Sequence, residues 1–229
     1  MMVESLRASD SSAERALGAF LDEHFYEVLH RSVSGFEYER VKDRKRQLEG
    51  MDVIVDYGGR RVIIDEKAAL HYVNSNLKTF AFELSSLQRG HRDPVPRWLY
   101  NPTAKTNRYL LMWLTTWDAH TKQLKEIPLE QIVPENFKEV ECILVERSKI
   151  QRYLNRCGWN EALLMERAEK IRENPNDERL RWDGNSSIRF KLSGQYKERP
   201  VNMLIQRDVL KAMALHVYTV TGDGIIRDI

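Results

Sequence analysis

Asp52, Asp65 and Lys67 are the residues whose types and spacing best suit chemistry in this chain. Side chains alternate between the two faces of a strand, so Asp65 and Lys67 point the same way and Glu66 points the other way. Carboxylates held on rigid strands suit a hard divalent cation, and Mg²⁺ typically takes one or two of them together with waters. The spacing therefore predicts a metal site that can stabilise charge on a phosphate group and activate a bound water.

A hairpin is predicted to position these residues. Two β-branched runs, Val53 to Val55 and Val62 to Ile64, flank an Asp-Tyr-Gly-Gly turn, which is a hairpin signal. A tight hairpin brings the start of its first strand, at Asp52, beside the far end of its second strand. The competing interpretation is an ordinary surface ion pair of Lys67, worth only about 0–1 kcal/mol.

Each member of this set has a predicted role. Asp52 and Asp65 would bind the ion, helped by the backbone carbonyl of Glu66. Lys67 would orient or deprotonate a water, or compensate charge on the phosphate. Zinc is disfavoured because no His or Cys group stands at ligand spacing.

An upstream helix carries a further acid. Ser11 and Glu14 form a Ser-x-x-Glu capping box, and the apolar residues behind it recur at helical spacing, which predicts a helix from about 12 to 30. Glu14 therefore has two interpretations: the third-position carboxylate of the capping box, or an active-site acid brought to the mouth of the hairpin.

Two basic segments are candidate phosphate contacts. The first is the run from Lys42 to Arg46, and the second is a proline-rich loop from 89 to 108 around Trp98 and Tyr100. A run of charges such as the first is usually a solvated loop, and a polar loop with Trp98 in the core explains the second equally well. The candidate nucleic-acid-binding residues are Arg44, Lys45, Arg46, Arg89, Arg92 and Arg97.

The remaining pattern predicts a single domain, 1–229, with a core at 11–147 and a C-terminal elaboration at 148–229. Residues 79–84 are compatible with a strand or with a helix that continues to Arg89. Further strands are predicted at 33–41, 109–117, 141–146, 188–192 and 201–205, and helices at 148–156, from Asn160 to about 173, and from Asp208 through Val217.

Composition narrows the class of protein. Hydrophobic content of 42% and charged content of 31% are those of an ordinary globular protein, and no stretch approaches the ~20 apolar residues of a membrane span. Two cysteines at unrelated positions favour a reduced, cytoplasmic setting. The net charge of +2 is too small to indicate nucleic acid by itself.

The ordered combination of these motifs resembles the PD-(D/E)XK nuclease superfamily, and most closely archaeal Holliday-junction resolvases. Ser12-Ala13-Glu14-Arg15 is similar to the helix element, Gly50-Met51-Asp52 to the first-Asp element, and Asp65-Glu66-Lys67 to the (Asp/Glu)-x-Lys element. The resemblance implies a restriction-endonuclease-like α/β fold, with a central mixed β-sheet flanked by helices. It also implies catalytic roles for Glu14, Asp52, Asp65 and Lys67, with Mg²⁺ or Mn²⁺ as cofactor.

The resulting prediction is a metal-dependent nuclease, most simply a DNA endonuclease, with no membrane partner and with a homodimer left open. The alternative is a catalytically inactive nucleic-acid-binding or assembly protein that keeps the fold.

Overall fold

A computed structural model describes residues 7–87, 94–182, 184, 187–194, 196 and 198–228. The chain forms two compact units that alternate along the sequence. The larger unit takes Leu6–Leu77, Lys105–Glu146 and Ala214–Ile229, and the smaller unit takes mainly Lys78–Ala104 and Arg147–Met213. The chain passes from the larger unit to the smaller unit between Glu146 and Arg147, and each unit contains segments from both sides of that point.

The larger unit is built on a seven-stranded mixed sheet in the order β1-β2-β3-β6-β7-β10-β11. Neighbouring strands are antiparallel except β3 and β6, which are parallel. A mixed α/β class is therefore confirmed. The strands are β1 (Glu37–Arg40), β2 (Val53–Tyr57), β3 (Arg60–Ala68), β6 (Arg108–Thr116), β7 (Phe137–Glu146), β10 (His216–Thr221) and β11 (Gly224–Asp228).

The predicted hairpin is confirmed as β2–β3. Gly58 and Gly59 connect the strands with φ of 58° and 72°, the left-handed conformation that a two-residue type I′ turn requires at both central positions. Val53 lies opposite Ile64 in the register, so the turn sequence fixes which residues meet at the open end of the hairpin.

One long helical segment covers a face of this sheet. It consists of α1 (Arg7–Leu21), a π-helical turn (Asp22–Tyr26) and α2 (Glu27–Ser32). The predicted helix is thus present, but it begins at Arg7, so Ser11 is not its N-cap. The segment buries apolar side chains against the sheet, with Ala13, Leu17, Phe20 and Leu21 packed in one core with Val53, Val55, Leu110 and Met112.

The smaller unit is an antiparallel sheet in the order β5-β4-β9-β8. Its strands are β4 (Thr79–Ser86), β5 (Val95–Pro96), β8 (Ile188–Leu192) and β9 (Val201–Gln206), and its helices are α4 (Arg147–Arg156), α5 (Glu161–Glu173) and α6 (Arg207–Ala212). The strand interpretation of residues 79–84 is correct. Asn160 caps α5 as predicted, accepting a hydrogen bond from the backbone N–H of Leu163 at 3.0 Å.

Two predicted elements are wrong. The helix predicted from Asp208 through Val217 stops at Ala212, and strand β10 begins at His216 and pairs with β7. The basic run is not a plain loop, because Arg44–Leu48 forms a short helix, α3, capped by the Asp43 side chain. No helix in the described part of the chain is long and apolar enough to cross a membrane.

Candidate functional site

Asp65 and Lys67 lie on one face of β3 in the larger unit, as the alternation of a strand predicts. The ammonium Nζ of Lys67 pairs with Oδ1 of Asp65. The Asp65 residue is only 5% exposed, so this is not the solvated ion pair of the competing interpretation. A buried carboxylate needs a compensating charge, and Lys67 supplies one.

Asp52 joins this pair at the mouth of the hairpin. The backbone N–H of Glu66 donates to Oδ2 of Asp52 at 2.8 Å, and the Asp52 carboxyl group is within hydrogen-bonding reach of Asp65. Burial raises the pKa of Asp52 from 3.8 to about 7, Lys67 opposes the rise, and the nearby charge of Asp65 adds to it. Two carboxyl groups therefore share one lysine, and one of them holds its proton to near neutrality.

Lys67 carries a positive charge in this arrangement. Burial acts to lower the pKa of Lys67, but the carboxylates of Asp65 and Asp52 outweigh burial and raise it above its ordinary value. An ammonium with a raised pKa holds its protons at neutral pH. Of the roles predicted for Lys67, charge compensation and orientation fit this state better than deprotonation of a water.

Glu14 lies on α1 with part of its surface exposed to solvent and part desolvated. Partial burial raises its pKa, Lys67 opposes that rise, and Asp52 adds to it. Glu14 is therefore within electrostatic range of the hairpin mouth, although it makes no hydrogen bond or ion pair within the described ranges. Since α1 starts at Arg7, the capping-box interpretation of this acid is wrong.

Gly50 and Thr106 contribute to the site and were missed by the sequence patterns. Gly50 has φ +74°, and a Cβ built there would lie 2.2 Å from Oγ1 of Thr106 and 3.3 Å from Oδ2 of Asp65. The Thr106 hydroxyl donates to the carbonyl of Gly50 at 2.5 Å. Only glycine allows this close approach. The glycine of the Gly-Met-Asp sequence was the available signal, whereas nothing local marks Thr106.

The opposite face of β3 holds a second polar cluster that was also missed. Glu66 accepts hydrogen bonds from the hydroxyl of Tyr26 at 2.8 Å and from Nη1 of Arg40 at 2.7 Å. Nε of Arg40 donates to Asp22 at 2.7 Å. Asp22 and Tyr26 begin and end the π-helical turn, whose wider spacing no periodicity argument anticipates. Glu66 thus anchors the segment of strand between Asp65 and Lys67.

The candidate nucleic-acid-binding residues are divided between the chain segments of the two units. Arg44 and Lys45 are exposed on α3, and Arg46 pairs there with Glu39 at 3.0 Å. Arg97 belongs to the smaller unit and pairs with Glu83 at 3.2 Å. Arg89 and Arg92 lie outside the described residues.

The donor set at the hairpin mouth fits a hard divalent cation. Within the described ranges, no group of three or more His, Cys, Asp and Glu is arranged to hold a metal ion. A cation here would rely on the two carboxylates of Asp52 and Asp65, completed by waters and the carbonyl of Glu66, which is a composition typical of Mg²⁺. Burial is the largest cause of the raised pKa of Asp52 and the neighbouring Asp65 adds to it, and a cation bound between the two carboxylates would lower that pKa.

The arrangement can hold a cation beside a fixed ammonium, which suits substrates that carry negative charge. Comparison of the chain with models of known families, with curated proteins and with solved structures finds no match in any of the three. The geometry of the site and the resemblance of its motifs are therefore the basis on which a function is proposed.

Proposed function

We propose that this protein is a metal-dependent nuclease with a restriction-endonuclease-like core, which hydrolyses phosphodiester bonds, most simply in DNA. One observation carries the proposal: two carboxyl groups, Asp52 and Asp65, meet at the open end of a hairpin beside the ammonium of Lys67. The seven-stranded mixed sheet and the helix across its face are compatible with the fold that the resemblance implies.

The residues divide the work as follows. Asp52 and Asp65 would hold Mg²⁺ or Mn²⁺, which when bound stabilises charge on the phosphate and lowers the pKa of a coordinated water. Lys67, which stays charged, would attract the scissile phosphate and stabilise the additional negative charge that develops during attack. Glu14, on the helix above, would orient water or substrate at the edge of the site.

A strand hairpin suits phosphodiester hydrolysis because it holds the side chains of the site in fixed positions. The hydrogen bond from the backbone N–H of Glu66 holds the carboxylate of Asp52, and the ion pair with Lys67 holds that of Asp65, before any substrate arrives. Catalysis of phosphodiester hydrolysis depends mostly on such positioning and on electrostatics.

The alternative function is nucleic-acid binding without cleavage on the same fold. It is favoured by the small number of acids: within the described ranges no third carboxylate joins Asp52 and Asp65 as a ligand group. The experiment below separates the two functions.

Cleavage is tested by incubating the full chain with Mg²⁺ or Mn²⁺ and linear, circular, branched or single-stranded DNA, and with RNA. We expect the wild-type chain to nick or cut at least one DNA, and Asp65→Ala to lose about 10³-fold or more in rate. Asp56→Ala is the matched control, because Asp56 is an aspartate at the far end of the same hairpin, paired with Arg61.

Three results would decide against nuclease action by this site. Cleavage that persists in Asp65→Ala would place the activity elsewhere or in a contaminant. Equal loss in Asp56→Ala would indicate a general defect of the hairpin. Wild-type binding without cleavage of any substrate would support the alternative function.

A further inference from the structure

The two units differ in the sign of their charge. Segments 78–104 and 147–213 of the smaller unit contain 19 Lys and Arg against 11 Asp and Glu, a net +8. The segments of the larger unit contain 17 against 22, a net −5, and Glu4 completes the total of +2 for the chain. The small overall charge therefore conceals a strongly basic unit, which indicates a polyanionic partner.

Helix α4 concentrates this charge. Its sequence, Arg-Ser-Lys-Ile-Gln-Arg-Tyr-Leu-Asn-Arg, contains four cations and no acid. Ile150 and Leu154 are fully buried on the inner side of the helix. Lys149, Arg152 and Arg156 follow one another at spacings of three and four residues, which places them in one stripe. Arg152 and Arg156 are exposed, and Lys149 is half-buried.

The fourth cation of α4 has a different role and shows that the helix is firmly held. Arg147 donates to the carbonyls of Leu99 at 2.8 Å, Asn101 at 3.0 Å and Ala104 at 3.2 Å. Gln151 donates to the same Leu99 carbonyl at 2.8 Å. These bonds fix α4 to the rest of its unit, so the stripe is presented on a rigid element, as precise recognition requires.

A merely solvated helix is expected to mix its charges, and the next helix does so. Helix α5 has the sequence Glu-Ala-Leu-Leu-Met-Glu-Arg-Ala-Glu-Lys-Ile-Arg-Glu, and it pairs Glu166 with Lys170 one turn apart at 2.5 Å. The sequence of helix α4 contains no acid. Lys149 lies in its first turn, where the helix dipole disfavours a cation, and Arg156 lies in its last turn, where the dipole favours one. Helix stability alone therefore does not explain why cations occur along the whole helix.

The length of the stripe matches a nucleic-acid backbone. From Lys149 to Arg156 the helix advances about 10 Å, at about 1.5 Å per residue. One strand of a duplex rises about 3.4 Å per phosphate, so the stripe covers about three phosphates. Arginine and lysine bind phosphate oxygens without reading the bases.

We propose that the outer stripe of α4, formed by Lys149, Arg152 and Arg156, binds the phosphate backbone of a nucleic acid independently of its sequence. The inference rests on the proposed function for the class of ligand, but it concerns a surface of the smaller unit and requires no cleavage. It assigns a binding role to part of the region after residue 147.

Binding is tested on the full chain in EDTA, which prevents cleavage, by fluorescence anisotropy with a labelled 30-base-pair duplex over a series of salt concentrations. The variant Lys149→Gln/Arg152→Gln/Arg156→Gln should bind about 10- to 100-fold more weakly at 0.1 M salt. Its slope of log K against log[salt] should be shallower by about 2 to 3, since each lost duplex contact removes about 0.9. A labelled single strand, for which each contact removes about 0.7, shows whether the stripe prefers unpaired substrate.

The matched control removes three exposed cations from the larger unit, with the variant Arg60→Gln/Lys122→Gln/Lys138→Gln. It has the same net charge as the stripe variant and should change affinity by less than about twofold. Arg156→Gln alone should make the slope of log K against log[salt] shallower by about 0.9, the value for one lost contact. This single variant keeps the test valid if the triple variant does not fold.

Several outcomes would overturn the inference. They are an unchanged slope in the stripe variant, an equal loss in the control, and no binding by the wild-type chain. Binding that depends on the stripe, together with no cleavage in Mg²⁺, would support the inference while refuting nuclease action.

Discussion

The two faces of β3 carry the same kinds of group in different states. On one face Lys67 lies with Asp65 and Asp52, and on the other Arg40 lies with Glu66 and Asp22, so each has two carboxyl groups and one cation. The Arg40 guanidinium donates to both of its carboxylates, and Tyr26 donates to one of them as well. The Lys67 ammonium is paired with Asp65, and the pKa of Asp52 rises to about 7.

The two cations differ in shape and in what they contact. A guanidinium presents five donors in a flat fork and can bridge two carboxylates, whereas an ammonium is a compact point charge. Arg40 hydrogen-bonds to both Asp22 and Glu66, which suits holding β3 against the π-helical turn. In the Lys67 cluster, burial and the neighbouring Asp65 raise the pKa of Asp52 to about 7, and a bound metal ion would offset both effects.

Breaking the Arg40 cluster should have the largest effect on stability. Arg40→Met leaves Glu66 and Asp22 without their shared cation in a half-buried site, and breaking such a pair costs about 3–5 kcal/mol of unfolding free energy. Urea unfolding measures the loss. Arg61→Met, which removes an exposed ion pair with Asp56 from the same hairpin, should leave the midpoint nearly unchanged. Similar losses in both variants would refute a special role for Arg40.

Gly50→Ala should disturb the Lys67 face and leave the Arg40 face intact. The new Cβ would lie 2.2 Å from Thr106 Oγ1 at a φ of +74°, so the free energy of unfolding should fall by about 1–3 kcal/mol. Cleavage should fall further than stability explains, because Asp65 lies beside the same position.

The control for that change is Gly58→Ala. Gly58 also has a positive φ, of +58°, but has no atom within 4 Å of the Cβ position. The Gly58→Ala variant should lose stability through backbone strain alone, and its folded fraction should keep full activity. Equal losses of activity in the two variants would mean that the contact with Thr106 is unimportant.

The pH dependence of stability should reveal the raised pKa of Asp52. Because folding raises the pKa of Asp52 from 3.8 to about 7, the folded chain keeps a proton that the unfolded chain releases. The contribution of Asp52 to stability is therefore fully present below about pH 4 and is lost as the pH rises through about 7. Glu14 and Asp22 also have raised pKa values, so the informative quantity is the difference between wild type and Asp52→Asn.

Asp52→Asn cannot ionise and should escape that loss. Without metal, its stability relative to wild type should rise by about 1–3 kcal/mol between pH 5 and pH 8, as measured by thermal or urea unfolding. Lys67 and Asp65 are present in both proteins. A difference that stays flat with pH would show that Asp52 is ionised throughout and that burial does not raise its pKa in the folded chain.

The sequence predicted the Lys67 face well and the Arg40 face not at all. Asp65 and Lys67 are related by the two-residue period of a strand, and Gly58-Gly59 fixes the turn that brings Asp52 to them, so local rules were sufficient. Glu66 meets Arg40, Asp22 and Tyr26 only through tertiary packing and a π-helical turn. Such contacts join residues distant in sequence and leave no local pattern.

The errors in the predicted helix ends have the same cause, since local sequence patterns do not contain tertiary contacts. Residues 213–217, Met-Ala-Leu-His-Val, are mostly apolar and fit a helix or a strand, and pairing with β7 from His216 onward decides for the strand. Ser11 and Glu14 satisfy the capping-box pattern within a helix that begins one turn earlier, where the pattern has no end to cap.

Titration with a divalent cation is the most direct test of the proposed metal site at Asp52 and Asp65. Mn²⁺ is titrated into the metal-free chain at pH 8 and followed by calorimetry or electron paramagnetic resonance, with Asp52→Asn, Asp65→Asn and Glu66→Gln as variants whose folding is checked by circular dichroism. We expect one site per wild-type chain, loss of that site in Asp52→Asn and Asp65→Asn, and its retention in Glu66→Gln. Absence of binding by the wild-type chain at millimolar Mn²⁺, or undiminished binding by Asp65→Asn, would contradict the proposed metal site.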